Sequence, residues 1–184
     1  CEGFEAGGHN GREELTTLVL VPQCVAAVSV PVVAAGGIAT GAQWAAAMAL
    51  GAAGVQIGSR FAMTAESSGH EAFKARVAAA GPADTMLLMK RHVPVRLLRN
   101  RFFDEVVAAE HRGASREELA ELLGQGRARR GMLEGDLAEG ELEIGQVSGL
   151  IDDVPAVKEV MDRLLGGYDE AVGRYVLTQD KVDL

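Results

Sequence analysis

Residues 30–35 (VPVVAA) form a short, β-branched apolar run that stops at Gly36-Gly37. An unbroken apolar run of that length, ended by a turn, predicts a strand buried on both faces. Residues 54–58 (GVQIG) repeat the design. Between them, residues 40–50 (TGAQWAAAMAL) are rich in helix formers, with Thr40 placed to cap the N-terminus and Gly51 to stop the C-terminus. Strand, helix and strand in so short a span predict a right-handed βαβ unit in a parallel sheet. Ahead of it, Pro22 predicts the first turn of a helix running to about Val28, after the turn-forming residues Leu15, Thr16 and Thr17.

After Phe61 the strand pattern gives way to helical periodicity. Residues 70–80 predict an amphipathic helix stopped by Gly81-Pro82, and residues 86–89 a short apolar run before the basic stretch 90–101 (KRHVPVRLLRNR). Residues 102–111 predict a helix ended by Gly113. In residues 115–123 (SREELAELL), Ser115 and Glu118 have the spacing of a capping box. The glycine-rich, acidic residues 124–149 read as a loop region, and residues 154 to about 175 as a last amphipathic helix beginning near Pro155. No internal repeat or low-complexity tract interrupts this order.

Composition narrows the picture. With 184 residues, 48% of them hydrophobic, the chain can bury a core of ordinary domain size. An aromatic content of 4% against 23 glycines suits an α/β protein better than an all-β sandwich. The net charge of −8 argues against nucleic acid, whose phosphate backbone needs clustered Lys and Arg. No uncharged apolar window long enough for a membrane span occurs, and residues 1–10 lack the pattern of a secretion signal. Cys1 and Cys24 can form at most one bridge, so the expectation is a reducing, cytoplasmic setting.

The candidate chemistry lies at the glycines that end the two strands. Backbone N–H groups can approach a phosphate closely only where side chains are absent and a helix begins just beyond. Ala35, Gly36 and Gly37 before Thr40, and Gly58, Ser59 and Arg60 at the next strand end, offer two such places on neighbouring strands. Short glycine motifs as often only make tight βα turns, so the spacing leaves both readings open. The second concentration is residues 2–11, where Gly3, Gly7, Gly8 and Gly11 surround His9 in a loop able to lie against a planar ligand. Histidine as a residue type can serve as acid or base near neutral pH, although a lone loop histidine is more often solvated. His70, His92 and His111 sit in helical or basic surface contexts, and the charge run 90–101 reads as a solvated face.

Read in order, EGFEAGGHNG, LTTLVLVPQ, PVVAAGGIATG and GAAGVQIGSRF closely resemble the FMN-dependent nitronate monooxygenase family, formerly the 2-nitropropane dioxygenases, and its sister, the flavin-type enoyl-acyl carrier protein reductase. The similarity continues into GMLEGDLAEGELEIGQVSGLI. The resemblance implies an α/β fold: the C-terminal part of a TIM-type (β/α)8 barrel with a smaller helical domain. It implies that residues 1–66 belong to the FMN-binding barrel, 67–150 to the smaller domain and a loop over the active site, and 151–184 to a C-terminal helix. Such barrels usually bind phosphate after strands seven and eight, which agrees with the glycine pattern. By the same resemblance His9 takes the catalytic position. Ala35, Gly36, Gly37, Gln56, Gly58 and Ser59 would hold the phosphate and ribityl end of FMN, and Glu2, Gly7 and Gly8 would line the flavin. Ser59 keeps a hydroxyl donor where relatives often have Thr, and Gly145-Gln146 would fold back over the mouth of the site.

The activity so implied is oxidation of an alkyl nitronate by oxygen to a carbonyl compound and nitrite. The alternative is reduction of an enoyl thioester with NAD(P)H, and the motifs do not separate the two; the segment MLLMKRHVPVRLLRN favours the first. The expected partner is a small-molecule substrate, with no metal, nucleic acid or membrane. The earlier barrel strands are not in the sequence and the chain begins at Cys1, so the expectation is the C-terminal half of an enzyme. A non-catalytic fragment is the third reading, since two strands cannot close a barrel.

Overall fold

The computed structural model describes residues 1–179. The expected βαβ unit is present: β2 (Val33–Ala35) and β3 (Gly54–Gln56) pair in parallel, with Ala34 opposite Val55, and α2 (Gly41–Ala49) joins them. Thr40 caps α2 through a reciprocal box with Gln43, the Gln43 N–H donating to Thr40 Oγ1 at 3.2 Å. The strands are not buried on both faces, however: Val33 is 47% exposed and Gln56 is exposed. The face toward α1 and α2 is covered by a small core of Val21, Ala34, Ile38 and Ala47.

Helix α1 spans Thr17–Ala27, so Pro22 lies inside the helix rather than in its first turn. The N-cap Thr16 makes no side-chain cap; instead both carboxylate oxygens of Glu5 accept the Thr17 N–H, at 3.1 and 3.0 Å. A cap supplied from twelve residues upstream is why the local sequence misplaces the start. Pro22 is exposed, and lacking an N–H it leaves the helix one backbone hydrogen bond short.

Strands do not end at Phe61, which corrects the purely helical reading of the later chain. After α3 (Ser59–Ala62) and α4 (Glu71–Ala78, capped by His70), β4 (Thr85–Leu88) and β5 (Val95–Leu98) form an antiparallel pair. A two-residue strand β1 (Gly8–His9) joins them in the order β1-β5-β4. The stretch read as a solvated basic face therefore contains a wholly buried strand, with Val95, Arg96, Leu97 and Leu98 all at 1% exposure or less. Coverage of both faces removes the polar–apolar alternation that would mark it. Helices α5 (Arg101–His111) and α6 (Arg116–Leu123) come next, as expected, the latter with the Ser115–Glu118 capping box. The supposed loop 124–149 holds a short helix α7 (Arg127–Met132), and a 3-10 turn (Gln146–Leu150) closes it.

The last helix, α8 (Val157–Gln179), packs on α2, with Trp44 and Tyr168 rings 5.0 Å apart. Gly41 touches the α8 backbone at Leu164 and Tyr168 so closely that a Cβ would not fit. Residues 180–184 of the expected C-terminal unit lie outside the described residues. A second core gathers Met63, Phe73, Leu98, Leu142, Ile144 and Val147, and a third Leu88, Val95, Phe102, Phe103 and Val106. No helix among the described residues is long and apolar enough to cross a membrane.

Residues 1–10 tie the two sheets together. At one end Glu2 bridges Ala35 in parallel, with Gly3 N–H donating to Ala35 O and Ala35 N–H to Cys1 O, both at 2.9 Å. At the other end Gly8 pairs with Arg96 and His9 with Val95.

A candidate active-site cavity between the two sheets

Where that segment crosses from one sheet to the other it leaves a cavity of about 280 Å³, near the lower end of the range for small-molecule sites. Its walls include Glu2, Glu5, Ala6 and Gly7 from the crossing segment and Ala35, Gly36 and Gly37 from the end of β2. Gln56, Gly58 and Ser59 come from the end of β3, and Met132, Glu143, Ile144 and Val147 from the later chain. The structure thus brings together eight of the ten residues singled out from the sequence. Gly8 and His9 do not line the cavity; Gly8 is buried in β1 and His9 is exposed beside it.

The local backbone explains the shape. Gly36 and Gly37 have φ of +86° and +69°, a conformation that costs side-chain-bearing residues energy, and a Cβ on Gly36 would come within 2.6 Å of the Gly3 carbonyl oxygen. At Gly58 a Cβ would meet open space. Helix α3 starts just after it, so the N–H groups of Ser59 and Arg60 have no partner within the helix. Ser59 Oγ accepts the Gly145 N–H at 3.0 Å, which leaves its own hydrogen free to donate to a ligand. Gln146 N–H donates to Glu5 O at 2.8 Å. The 144–146 segment is thereby fastened across the crossing segment.

Arg60, beside Ser59, turns away from this cavity. It is 8% exposed and binds Asp153, at 2.7 Å, and the Met63 and Asp153 carbonyls. The Asp153 carboxyl is held below the usual range chiefly by its hydrogen bond from Arg163.

Sequence reasoning missed Glu5, Glu143 and Ile144. The signal for the last two was the acid–apolar alternation of Glu141, Leu142, Glu143 and Ile144, a strand-like pattern inside a stretch read as loop. Glu141, 7% exposed, is pushed up to about 7 from its ordinary 4.5, by burial and then by the nearby Glu143, against the pull of Arg127. The folded state therefore holds a proton that the unfolded state releases. Its stabilising effect is complete below about 4.5 and lost as pH rises to about 7. Melting temperature should fall across that window, and Glu141→Gln should flatten the fall and raise stability at pH 8; an unchanged profile would remove Glu141 as its source.

The nitronate monooxygenase family model matches residues 1–167. A 5-hydroxy-7a-methyl-1-oxo-octahydro-1H-indene-4-carboxyl-CoA dehydrogenase of Rhodococcus jostii is 33% identical over 204 residues, covering 89% of this chain and 56% of that protein. A probable nitronate monooxygenase of Bacillus subtilis is 43% identical over 93 residues, 47% of this chain and 27% of that protein. Among solved structures, FabK from Thermotoga maritima superimposes with a TM-score of 0.87 at 39% identity, covering 95% of this chain and 55% of that one. The nitroalkane oxidase of Streptomyces ansochromogenes gives 0.75 at 29% identity, over 95% of this chain and 52% of that one. The chain spans little more than half the length of the longest-matching of these relatives.

Proposed function

This chain belongs to the nitronate monooxygenase family, and from that membership we propose that it carries the FMN-binding and substrate-binding part of an enzyme that oxidises alkyl nitronates with oxygen to carbonyl compounds and nitrite. Its fold is that of the C-terminal part of a TIM-type (β/α)8 barrel with a smaller domain, here built of helices around a three-stranded antiparallel sheet. We assign residues 1–66 to the flavin-binding barrel, 67–150 to the smaller domain and 151–184 to the C-terminal helix.

One observation carries the reading: two parallel strands, each ended by glycine, open onto a single cavity together with the Ser59 hydroxyl. The donor set fits FMN. The Ser59 hydroxyl and the first-turn N–H groups of α3 suit phosphate oxygens, and the open space at Gly58 admits them closely. Glu5 does not oppose this, because its carboxylate is occupied by Thr17. Ala35, Gly36, Gly37, Gln56, Gly58 and Ser59 would hold the phosphate and ribityl end, and Glu2 and Gly7 would line the ring system, with Gly8 next to them in the chain but off the cavity wall. Bound there, the flavin would supply the redox chemistry. His9, exposed beside Gly8, would serve as base toward a neutral nitroalkane or as donor to the nitronate oxygens.

A second reading, reduction of an enoyl thioester with NAD(P)H, is favoured by the match to a carboxyl-CoA dehydrogenase along 89% of the chain. Purified protein should be yellow with bound FMN and release nitrite from propionate 3-nitronate. NADH oxidation driven by crotonyl thioester, without nitrite, would select the second reading, and a colourless protein unable to take up added FMN would sink both for this chain.

A further inference from the structure

Ser59 is held from two sides. From the cavity side its Oγ accepts the Gly145 N–H at 3.0 Å. From behind, the next residue in the chain is tied down by its guanidinium. Arg60 Nη1 donates to Asp153 Oδ1 at 2.7 Å, and Nη2 to the Met63 and Asp153 carbonyls at 2.7 and 3.0 Å. The second tie matters because α3 is a single turn of four residues. Gly58, its N-cap, has no side chain to cap it, and a lone helical turn does not persist without tertiary support. The bond from Arg60 to Met63 O closes the C-terminal end of that turn, where the helix supplies no donor of its own.

Asp153 is the fixed point of this arrangement. Its Oδ2 accepts from Arg163 Nη1 of α8, and Glu159 accepts from the other arm of Arg163. The hydrogen bond from Arg163, joined by that from Arg60, outweighs burial and holds the Asp153 carboxyl below its usual range. Two further contacts join the same stretches of chain. Ala65 N–H donates to Pro155 O at 2.9 Å, and both Glu66 carboxylate oxygens accept the Val157 N–H that opens α8, at 3.0 and 2.9 Å. Helix α8 is itself seated on α2 through Tyr168 and the close approach at Gly41.

A buried guanidinium is a costly clamp. Arg60 is 8% exposed, and its Nε is buried without a hydrogen-bond partner among the described residues. A buried ion pair adds little stability over apolar residues of like volume, and an orphaned buried donor calls for another reason. Orientation supplies one, because Arg60 adjoins Ser59 in the chain.

We propose that Asp153 is a positioning residue for the phosphate end of the flavin: it fixes Arg60, and through the backbone Ser59, so that the Ser59 hydroxyl meets a phosphate oxygen. The inference rests on the flavin-binding reading above. The phosphate end of the cavity is thus set from α8, which does not touch that cavity.

FMN and riboflavin differ only in the phosphate, so together they separate positioning from general support of the cavity. Asp153→Asn keeps the shape of the side chain and removes its charge. By fluorescence titration it should weaken FMN about tenfold and leave riboflavin within about twofold. Arg163→Met, at an exposed residue, should act in the same direction by less. The double variant should bind FMN no more weakly than Asp153→Asn, since both act through one bond network. A readout independent of the flavin is amide exchange in flavin-free protein. The amides of Ala62 and Met63, which close α3, should exchange faster in Asp153→Asn, while that of Leu50 at the end of α2 stays unchanged. FMN and riboflavin weakened alike, α3 and α2 loosened together, or FMN affinity unchanged would overturn the assignment. Wild-type protein that takes up neither flavin, with α3 alone loosened in Asp153→Asn, supports the tie from Asp153 to α3 and overturns the flavin-binding reading instead.

Discussion

Arg96→Ala should unfold the crossing segment of the cavity without touching any group that meets a ligand. Arg96 is 1% exposed and among the largest fully buried side chains. Its Nε and Nη2 both donate to the Phe4 carbonyl, at 2.9 and 2.8 Å, its Nη1 to Thr85 Oγ1 at 3.3 Å, and its guanidinium lies 5.0 Å from the centre of the Phe4 ring. Burial lowers its pKa, while the charges of Glu5 and Glu14 support the protonated form. Alanine leaves a void, and it strands the Phe4 carbonyl at a cost of about 1–3 kcal/mol. With the lost packing, the total is about 3–5 kcal/mol, a large part of the ~5–15 kcal/mol typical of a domain. The urea midpoint should drop accordingly with the slope unchanged. Lysine should restore only part, since it keeps the charge without the fork that reaches one carbonyl twice. An alanine variant with the wild-type midpoint would show that the segment is held some other way.

Gly7→Ala should be nearly as damaging, but to ligand binding first. A Cβ at Gly7 would sit 2.6 Å from both the Gly145 nitrogen and the Ile144 Cα, backbone atoms that cannot rotate aside. The crossing segment has little room to yield, because Asn10 Nδ2 donates to the Ala6 and Gly8 carbonyls, each at 3.0 Å. The 144–146 strap must retreat instead, taking the Gly145 N–H away from Ser59 Oγ and Glu143 away from Gly8. Overpacking of this kind costs about 1–3 kcal/mol, and flavin affinity should weaken more than tenfold, read by titrating FMN fluorescence. Gly58→Ala is the contrast. Its Cβ meets open space, so thermal stability should be unchanged, and any loss of FMN affinity then reports the approach of the ligand itself.

The parts of the molecule that sequence reasoning recovers are those whose cause is local. Thr40 with Gln43 and Ser115 with Glu118 cap helices three residues away, and the glycines ending β2 and β3 announce the cavity because the left-handed turn belongs to Gly36 and Gly37 themselves. What was missed depends on distant partners. The start of α1 is set by Glu5, remote in the chain. Strand β5 hides among basic residues because its arginine is satisfied by the Phe4 carbonyl and both its faces are covered. Glu143 reaches the cavity only because its segment lies along β5, which nothing within residues 124–149 discloses. His9 is the reverse case: prominent in its motif, yet exposed beside the cavity it was expected to face.

The crossing of residues 1–10 between the parallel and the antiparallel sheet has a thermodynamic consequence. The cavity walls come from both sheets, so whatever fills it acts as a reversible cross-link between them, added to the core they share around Ala39, Met63, Leu98 and Ile144. A ligand present at a hundred times its Kd adds about 2.7 kcal/mol to folding, and here that gain falls on the junction. Amides of β2 and β5 should then slow their hydrogen exchange together as the ligand is titrated, although they belong to different sheets.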